Sequence, residues 1–291
     1  MPIPARVNLQ TAMSPTESED PLRGTRYRAV DRLGMGTMGE VFLVEHLALG
    51  RRFVAKVLHS RHSQSDEYVA RLRREARTLG QIRHPNIVAV TDFDLTQSGR
   101  PFIVMEYLDG HTLADELKTR RQLPESEVLT YTRQILSALA AAHVNGVVHR
   151  DVKPQNLFLH SRAGASPGIK VLDFGAARDT QGFAAQSPDE PRATSTGTVV
   201  GTLGYLSPEG ADGRRVDPRA DLYAVGLVLT VMLSGNLPTP QSVQSSFVES
   251  DLLLPKRLRS AIAPVILKAL AFDPDRRFQR AEEFLDALPA P

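Results

Sequence analysis

The sequence predicts an α+β protein in two parts, a small five-stranded sheet with one helix followed by a larger, mainly helical half. Short segments rich in Val, Ile and Phe, bounded by Gly, Asn or Pro, fill the chain from Tyr27 to Tyr107. Helical patterns dominate from about Thr112 onward. With 291 residues, 42% of them hydrophobic and 23% charged, the chain has the composition of a folded globular protein.

The first 24 residues differ in character from the rest of the chain. They contain Pro, Ser, Thr and a short acidic run, with neither apolar periodicity nor the apolar core of a signal peptide. We therefore expect residues 1–24 to form a flexible tail. The folded domain is expected to cover residues 25–288, with a small lobe at about 25–108 and a large lobe at about 109–288.

Five segments of the first half have the pattern of strands, and one strongly charged segment with helical periodicity, 65–79, lies between the third and the fourth. The predicted strands are 27–33, 40–47, 52–58, 87–94 and 102–107. In the second half, the apolar segments 157–159 and 169–172 predict a small hairpin. The predicted helices there are 125–145, 220–234, 260–270 and 281–288.

The composition excludes several classes of function. Without cysteine, the chain cannot form a disulfide framework, a thiolate metal site or a cysteine nucleophile. A net charge of +2 and the lack of a basic block predict no nucleic-acid partner. The longest apolar stretch, 222–233, is too short to cross a bilayer and predicts a buried core helix. Only six of the 35 basic residues are lysine, so individual lysines are candidates for a chemical role.

Three glycines with the spacing G-x-G-x-x-G, Gly34, Gly36 and Gly39, lie between the first two predicted strands. Glycine lets backbone N–H groups approach a phosphate without interference from a Cβ atom. The pattern alone is weak, and a plain turn is an open alternative. A strand follows these glycines, whereas a dinucleotide-binding fold would place a helix there.

Lys56 lies at the end of the third predicted strand, in an apolar setting where an unpaired ammonium group would be costly. Glu75, on the charged helix, is the candidate acidic partner. Because arginines surround Glu75 in the sequence, a local salt-bridge network on that helix is an alternative explanation. Those arginines are Arg71, Arg73, Arg74 and Arg77.

The densest chemical signal is the segment H-R-D-V-K-P-Q-N at 149–156, followed by D-F-G at 173–175. Asp151, Lys153 and Asn156 place a carboxylate, a cation and an amide in one loop. Phosphoryl transfer needs a base that orients a hydroxyl, positive charge for the γ-phosphate, and oxygen ligands for Mg²⁺. Asp173 would supply the second, carboxylate ligand. The segment therefore predicts phosphoryl transfer.

Together these motifs resemble the Hanks-type (eukaryotic-like) serine/threonine protein kinases, in the form of a bacterial-type catalytic domain. The resemblance covers about residues 27–288 and rests on the order and spacing of all the motifs. It implies a bilobal protein-kinase-like fold, with ATP and Mg²⁺ as cofactors. The small β lobe would carry one helix C, and the larger lobe would be mainly helical.

The resemblance implies two sets of site residues. In the catalytic set, Asp151 acts as base and Lys153 contacts the γ-phosphate. Lys56 pairs with the α- and β-phosphates, and Glu75 holds Lys56 in place. Asn156 and Asp173 bind Mg²⁺. The ATP-binding set includes Met105, which resembles the gatekeeper, and the hinge backbone at 106 and 108. Its members are Leu33, Gly34, Met35, Gly36, Thr37, Met38, Gly39, Glu40, Val41, Val54, Lys56, Met105, Glu106, Leu108 and Phe158.

Later elements are similar to the same family. The S-P-E segment at 207–209 resembles the end of an activation segment, which implies an ion pair between Glu209 and Arg277. Asp221 resembles the aspartate that anchors the catalytic-loop backbone. Lys153, within D-x-K-P-x-N, and the G-T-x-G-Y segment at 201–205 favour serine or threonine over tyrosine as the acceptor.

Two positions depart from the family pattern. Val54 replaces the small residue that usually covers adenine, which tightens that pocket. Gln155 stands where kinases that prefer basic substrates often carry Glu, so a preference for arginine near the phosphorylation site is not predicted.

The long activation segment, 173–209, predicts regulation by phosphorylation. Two arginines, Arg150 and Arg178, are candidates to bind a phosphate on that segment and order it. Autophosphorylation is expected there, with Thr196 and Thr198 favoured by their distance from Thr202. The candidate acceptors are Thr194, Ser195, Thr196 and Thr198.

The sequence thus predicts an enzyme that transfers the γ-phosphate of Mg-ATP to Ser/Thr hydroxyls of protein substrates. One alternative is a pseudokinase scaffold, although Lys56, Asp151, Asn156 and Asp173 are all retained. A second is a small-molecule kinase of the aminoglycoside type, which would lack the activation segment. A cytoplasmic location is expected, with an anchored longer parent chain left open. Physiological substrate, upstream signal and oligomeric state are not predicted.

Overall fold

The computed structural model describes residues 20–36, 39–60, 66–160, 168–174, 204–238 and 262–290. They form two compact units. The first contains the chain up to Thr112 together with Phe158–Leu172, and the second contains Leu113–Leu157 and the chain from Asp173. The first unit holds a five-stranded sheet with one long helix and the second is mainly helical, which confirms the predicted fold class.

The sheet of the first unit is antiparallel, with strand order β1-β2-β3-β5-β4. Its fourth strand begins three residues later than the pattern predicts. The reason is that the preceding segment pairs elsewhere, since Ile87 forms a parallel bridge with Val171. The strands are β1 Tyr27–Met35, β2 Gly39–His46, β3 Arg51–Leu58, β4 Val90–Leu95 and β5 Pro101–Glu106.

The predicted charged helix is α1, Asp66–Gln81, and it packs against β4. It buries Leu72, Ala76 and Leu79, which share one face at helical spacing. Its remaining surface is dominated by charged side chains, which accounts for the highly charged sequence of this helix.

The apolar side chains of the sheet form two separate clusters because successive residues of a strand point to opposite faces. One cluster contains Leu22, which is fully buried against the sheet. The Asp20 carboxylate accepts hydrogen bonds from the backbone N–H groups of Leu22 (2.9 Å) and Ala29 (3.2 Å). Residues 20–24, predicted as tail, therefore belong to the folded unit, and residues 1–19 lie outside the described part. The cluster comprises Leu22, Tyr27, Ala29, Phe42, Val44, Ala55, Val57, Phe102 and Val104.

A second sheet has three short strands, β6 Gly110–Thr112, β7 Leu157–His160 and β8 Gly168–Val171, in the order β6-β7-β8. The two segments predicted as a hairpin are neighbours in it. The pattern missed β6, which is only three residues long. A Cβ atom on Gly110, whose φ is +148°, would lie 1.9 Å from the carbonyl oxygen of Leu159, so this strand pair requires glycine there.

The second unit is built around α5, Pro218–Ser234, which is buried over nearly its whole length. Asp217 caps its N-terminus, and Gly235, with φ of +74°, ends it. The predicted core helix is thus confirmed, and no helix of the described chain is long and apolar enough to cross a membrane. The other helices of this unit are α2 Leu113–Arg120, α3 Glu125–Val144, α4 Pro208–Ala211, α6 Ala263–Ala269 and α7 Ala281–Ala287, with 3₁₀ turns at Pro154–Asn156 and Pro274–Arg276.

Candidate active site

The glycine-rich turn joins β1 to β2. The Gly36 N–H donates to the Gly39 carbonyl oxygen at 2.8 Å and closes the turn. A Cβ atom on Gly39 would lie only 2.1 Å from the carbonyl oxygen of Val57, so any other residue would push β2 away from β3. Thr37 and Met38, predicted to contact the nucleotide, lie outside the described residues.

The second apolar cluster of the first unit gathers six of the residues predicted to bind ATP. Leu33, Val54, Met105, Leu108 and Phe158 belong to it, and Val41 packs against it. The sequence did not single out three further members, Leu43, Val88 and Leu172, or Val30, which packs against them. Met35, by contrast, is 49% exposed and is not among them. The cluster draws on strands far apart in sequence, which is why periodicity alone could not assemble it.

Glu106, at the end of β5, is held by both its backbone and its side chain. Its N–H donates to the carbonyl oxygen of Ala89 at 3.0 Å, and its carboxylate accepts from the Ala89 N–H at 2.8 Å. The same carboxylate pairs at 2.5 Å with the ammonium group of Lys170, which is only 7% exposed. Lys170 also donates to the carbonyl oxygen of Ile87 at 3.1 Å. Sequence reasoning gave Lys170 no role, and the scarcity of lysine was the one available signal.

Lys56 and Glu75 both lie in the first unit. Lys56 is half-buried on β3, with Val41 and Ile103 as its partners on the neighbouring strands. Glu75 is half-buried on α1. The ion pair between them stays a prediction.

The arginines of α1 bear on the alternative of a local salt-bridge network. The guanidinium group of Arg71 lies 5.0 Å from the ring centre of Tyr68, and that of Arg73 lies 5.6 Å from the ring centre of Phe93. Two of the four arginines thus contact aromatic rings, which gives them packing roles in addition to any charge pairing.

The carboxylate of Glu40, next to Gly39, faces two guanidinium groups. It accepts a hydrogen bond from Arg100 at 3.2 Å and lies 3.7 Å from Arg32. These contacts let Glu40 stabilise the start of β2, directly after the glycine-rich turn.

In the second unit, the structure brings together three of the predicted catalytic-loop side chains. Lys153 Nζ lies 2.8 Å from Asp151 Oδ2. The Asn156 side-chain amide donates to the main-chain oxygen of Asp151 at 2.8 Å and to its Oδ2 at 3.0 Å. Lys153 and Asn156 are buried, and the Asp151 side chain is about one-quarter exposed. A carboxylate that is fixed by a cation and an amide but reached by solvent is suited to orienting a hydroxyl group.

The backbone of this loop is anchored by Asp221, which is buried near the start of α5. Its Oδ2 accepts from the His149 N–H at 2.8 Å and its Oδ1 from the Arg150 N–H at 2.7 Å. The Nε2 of His143, on α3, lies 2.8 Å from the same Oδ2. The motif pattern implied the role of Asp221, whereas it gave no sign of His143.

Backbone strain is concentrated beside the predicted catalytic groups. Among the described residues other than glycine, only Arg121, Arg150 and Asp173 have positive φ, at 60°, 64° and 51°. Arg150 immediately precedes Asp151, and Asp173 is itself a predicted metal ligand. Such conformations persist where surrounding contacts impose them. The hydrogen bonds that the His149 and Arg150 N–H groups donate to Asp221 do so for Arg150.

The described residues include no group of three or more acidic or histidine side chains placed to hold a metal ion. Next to Asp173, the ring of Phe174 packs against the His149 ring at a centroid distance of 4.7 Å.

The predicted ion pair of Glu209 and Arg277 is present and buried. Arg277 donates from both terminal nitrogens, at 2.8 Å each, to the two carboxylate oxygens of Glu209. Burial is the largest single influence and raises the pKa of Glu209. The hydrogen bonds and charge of Arg277, together with hydrogen bonds from the Glu209 backbone and Ser207, exceed it, so the net pKa is lowered.

Several predicted residues lie outside the described part of the chain. They belong to the predicted activation segment, of which the structure describes only 173–174 at the start and 204–209 at the end. They are Gly175, Arg178, Thr194, Ser195, Thr196, Thr198 and Thr202.

With this geometry established, comparison with known proteins defines the class. The family model described as "Protein kinase domain" matches residues 27–286. Pkn1, a serine/threonine-protein kinase of Myxococcus xanthus, is 40% identical over 283 residues, which are 94% of this chain and 39% of Pkn1. PknB, a serine/threonine-protein kinase of Mycobacterium leprae, is 38% identical over 269 residues, 89% of this chain and 42% of PknB.

Solved structures agree. The crystal structure of the Mycobacterium tuberculosis PknI kinase domain matches with a TM-score of 0.69 and 30% identity, covering 92% of this chain and 97% of that one. The chain therefore belongs to the protein kinase domain family, as its motifs predict. It spans 39% to 50% of the length of Pkn1, PknB and a third relative, pkn3 of Myxococcus xanthus.

Proposed function

We propose that this chain is a protein serine/threonine kinase, which transfers the γ-phosphate of Mg-ATP to Ser/Thr hydroxyls of protein substrates. The observation that carries the proposal is the Asp151 carboxylate, held 2.8 Å from Lys153 and 3.0 Å from the Asn156 amide. The kinases among its relatives, named as acting on serine or threonine, support the same acceptor class.

The first unit carries the residues for nucleotide binding. Its apolar cluster around Val54, Met105 and Leu108 offers the surface that an adenine ring needs. In the glycine-rich turn, no side chain at Gly34, Gly36 or Gly39 stands between the backbone and a phosphate. Lys56 supplies the positive charge for the phosphates next to the turn. These features fit ATP.

The second unit carries the residues for the transfer itself. Asp151 accepts the proton of the Ser/Thr hydroxyl and orients its oxygen toward the γ-phosphate. Lys153 stabilises the negative charge on the transferred phosphoryl group, and its bond to Asp151 fixes both side chains. Because Asp221 fixes the loop backbone before the nucleotide arrives, these groups need little reorganisation during the reaction.

Asn156 and Asp173 are the residues that would hold Mg²⁺. Both bonds from Asn156 to Asp151 use the amide nitrogen, so the amide oxygen is the atom of this side chain suited to a metal. With the Asp173 carboxylate, it would form a pair of hard oxygen ligands of the type that Mg²⁺ prefers. When bound, Mg²⁺ would offset the negative charge that develops on the transferred phosphate.

Autophosphorylation of the activation segment is part of the proposal, with Thr196 and Thr198 as the favoured acceptors. The motif evidence for it is the pair Arg150 and Arg178, two guanidinium groups suited to binding one phosphate. Incubation with ATP followed by mass spectrometry tests it, and full activity of a Thr196→Ala/Thr198→Ala variant would contradict it.

The proposal is tested by transfer of labelled γ-phosphate to a generic protein acceptor and to the protein itself. The wild type is compared with Asp151→Asn, which keeps the shape of the side chain but cannot accept a proton. Asp212→Asn, on the exposed turn after α4, is the matched control and should keep full activity. We expect label on serine and threonine with the wild type and at least a hundredfold loss with Asp151→Asn.

The outcomes separate the alternatives. Nucleotide binding without label transfer by the wild type would indicate a pseudokinase scaffold. Label on an aminoglycoside-type small molecule but not on protein would indicate a small-molecule kinase. Equal labelling by the wild type and Asp151→Asn would refute the assigned mechanism.

A further inference from the structure

His59 makes a contact that neither the motif pattern nor the proposed mechanism uses. It follows directly after β3 and is half-buried. Its Nε2 lies 2.9 Å from the carbonyl oxygen of Gly36, the middle glycine of the glycine-rich turn. Because a carbonyl oxygen only accepts, the contact requires the proton on Nε2. The imidazole thus donates a hydrogen bond to the backbone of the turn.

Two hydrogen bonds hold the backbone of Gly36. Glycine has the largest conformational freedom of any residue and carries no side chain with which to anchor itself. The Gly36 N–H is bound within the turn, to the Gly39 carbonyl oxygen. The His59 bond instead ties the turn to the end of a neighbouring strand, 23 residues away in the sequence. It therefore restricts the motion of the turn relative to the sheet.

His59 is itself held in place from the neighbouring residue. The Nε of Arg100 donates to the carbonyl oxygen of Leu58 at 2.8 Å, and its terminal nitrogen donates to the Glu40 carboxylate at 3.2 Å. Arg100 thus links the end of β3 to the strand that leaves the glycine-rich turn. The two sides of the turn are fastened to the same strand end, one through Arg100 and the other through His59.

We propose that His59 is a positioning residue that holds the glycine-rich turn in the shape that binds nucleotide phosphates. This inference rests on the proposed function, since it assigns the turn to ATP. His59 acts through the Gly36 backbone, so its loss should weaken nucleotide binding and leave the rate of transfer at saturating ATP nearly unchanged. What matters is a donor at the Nε2 position, which a glutamine side chain also supplies.

The test compares His59→Leu and His59→Ala, which remove the donor, with His59→Gln, which retains one. His46→Leu is the matched control, because it removes an imidazole from the far end of β2, where the ring packs on Tyr27. Binding of a non-hydrolysable ATP analogue with Mg²⁺ is measured by calorimetry, and KM for ATP and kcat by steady-state kinetics on a generic protein acceptor.

We expect the dissociation constant and the KM for ATP to rise about three- to tenfold in both donor-free variants, the effect of one hydrogen bond. The kcat should stay within about twofold in all variants, and His59→Gln and His46→Leu should bind the analogue like the wild type. Two donor-free variants are used so that a folding defect in one leaves the other as the test.

Three results would overturn the inference. They are an unchanged dissociation constant without the donor, a His59→Gln variant as weak as His59→Leu, and a fall in kcat at constant KM. Failure of the proposed function has a different signature, because a wild type that binds the analogue but transfers no phosphate would refute the activity while the binding comparison still tests His59.

Discussion

Replacing Arg277 by methionine should strongly lower the free energy of unfolding of the second unit, because it leaves the Glu209 carboxylate buried without a countercharge. Arg277 donates two hydrogen bonds to Glu209 and one each to the carbonyl oxygens of Ala271 (2.7 Å) and Phe272 (2.9 Å). Its guanidinium group also lies 4.7 Å from the ring centre of Tyr223. Methionine retains much of the apolar volume, so the change isolates the loss of charge and hydrogen bonds.

The expected loss in the free energy of unfolding is about 3–5 kcal/mol, the usual cost of removing one partner of a buried ion pair. The matched control is Arg280→Met. That arginine side chain is 73% exposed and reaches Glu283 only at 3.4 Å, so the expected change is within about 0.5 kcal/mol. Both variants are measured by urea unfolding, with the m-values compared. A difference below about 1 kcal/mol between the two would refute the reasoning.

The pH dependence gives an independent check on the same pair. In the wild type the folded-state pKa of Glu209 lies below its ordinary value. Burial raises it, but the hydrogen bonds and charge of Arg277, with the bonds from Ser207 and the Glu209 backbone, together lower it by more. The stabilisation is therefore complete above the ordinary pKa of a glutamate and is lost as the pH falls through the lowered folded-state pKa. The difference in the free energy of unfolding between wild type and Arg277→Met should become smaller at acidic pH, because a protonated Glu209 needs no charged partner. A difference that widens below about pH 5, where glutamate begins to protonate, would contradict this assignment.

Two further substitutions test other stabilising contacts. Asp221→Asn should lower kcat at least tenfold and leave the KM for ATP within about twofold, because one of the two loop N–H groups loses its acceptor. Its control is Asp217→Asn, which keeps a capping side chain on the same helix and should change neither value. Lys170→Met should lower the free energy of unfolding, measured in urea titrations, by about 1–3 kcal/mol, because the Glu106 carboxylate loses its ammonium partner. Its control is Lys118→Met, at an exposed lysine.

Each control variant can contradict the corresponding prediction. If Asp217→Asn lowered kcat as much as Asp221→Asn, the effect would belong to the helix and not to the loop bonds. If Lys118→Met and Lys170→Met lowered the free energy of unfolding equally, the buried ion pair of Lys170 would add nothing to stability.

The sequence predicted the parts of the site whose chemistry lies within one short segment. The loop at 149–156 carries its carboxylate, cation and amide within six residues, so its spacing alone indicated that Asp151, Lys153 and Asn156 act together. The structure brings these three side chains within hydrogen-bonding distance. The five strands of the first sheet were predicted to within a few residues for a similar reason, because alternation and bounding turn residues are local signals.

What could not be predicted depends on contacts between segments distant in the chain. Lys170 and Glu106 are 64 residues apart, and no pattern in either segment points to the other. Leu22 looked like part of a polar tail because its neighbours are polar, and only the sheet face that it covers makes it a core residue. Tertiary context decided both cases.

The distribution of the lysines follows from the same geometry. Two of the described lysines are almost fully buried against carboxylates, Lys153 with Asp151 and Lys170 with Glu106. In Lys170 a single nitrogen reaches two acceptors, the Glu106 carboxylate and the carbonyl oxygen of Ile87. A compact ammonium group can do this in a confined space. The planar guanidinium of arginine needs a wider acceptor, such as the two carboxylate oxygens of Glu209 to which Arg277 donates. In a chain whose basic residues are mostly arginine, these two lysines therefore occupy sites that suit a compact ammonium group better than a planar guanidinium.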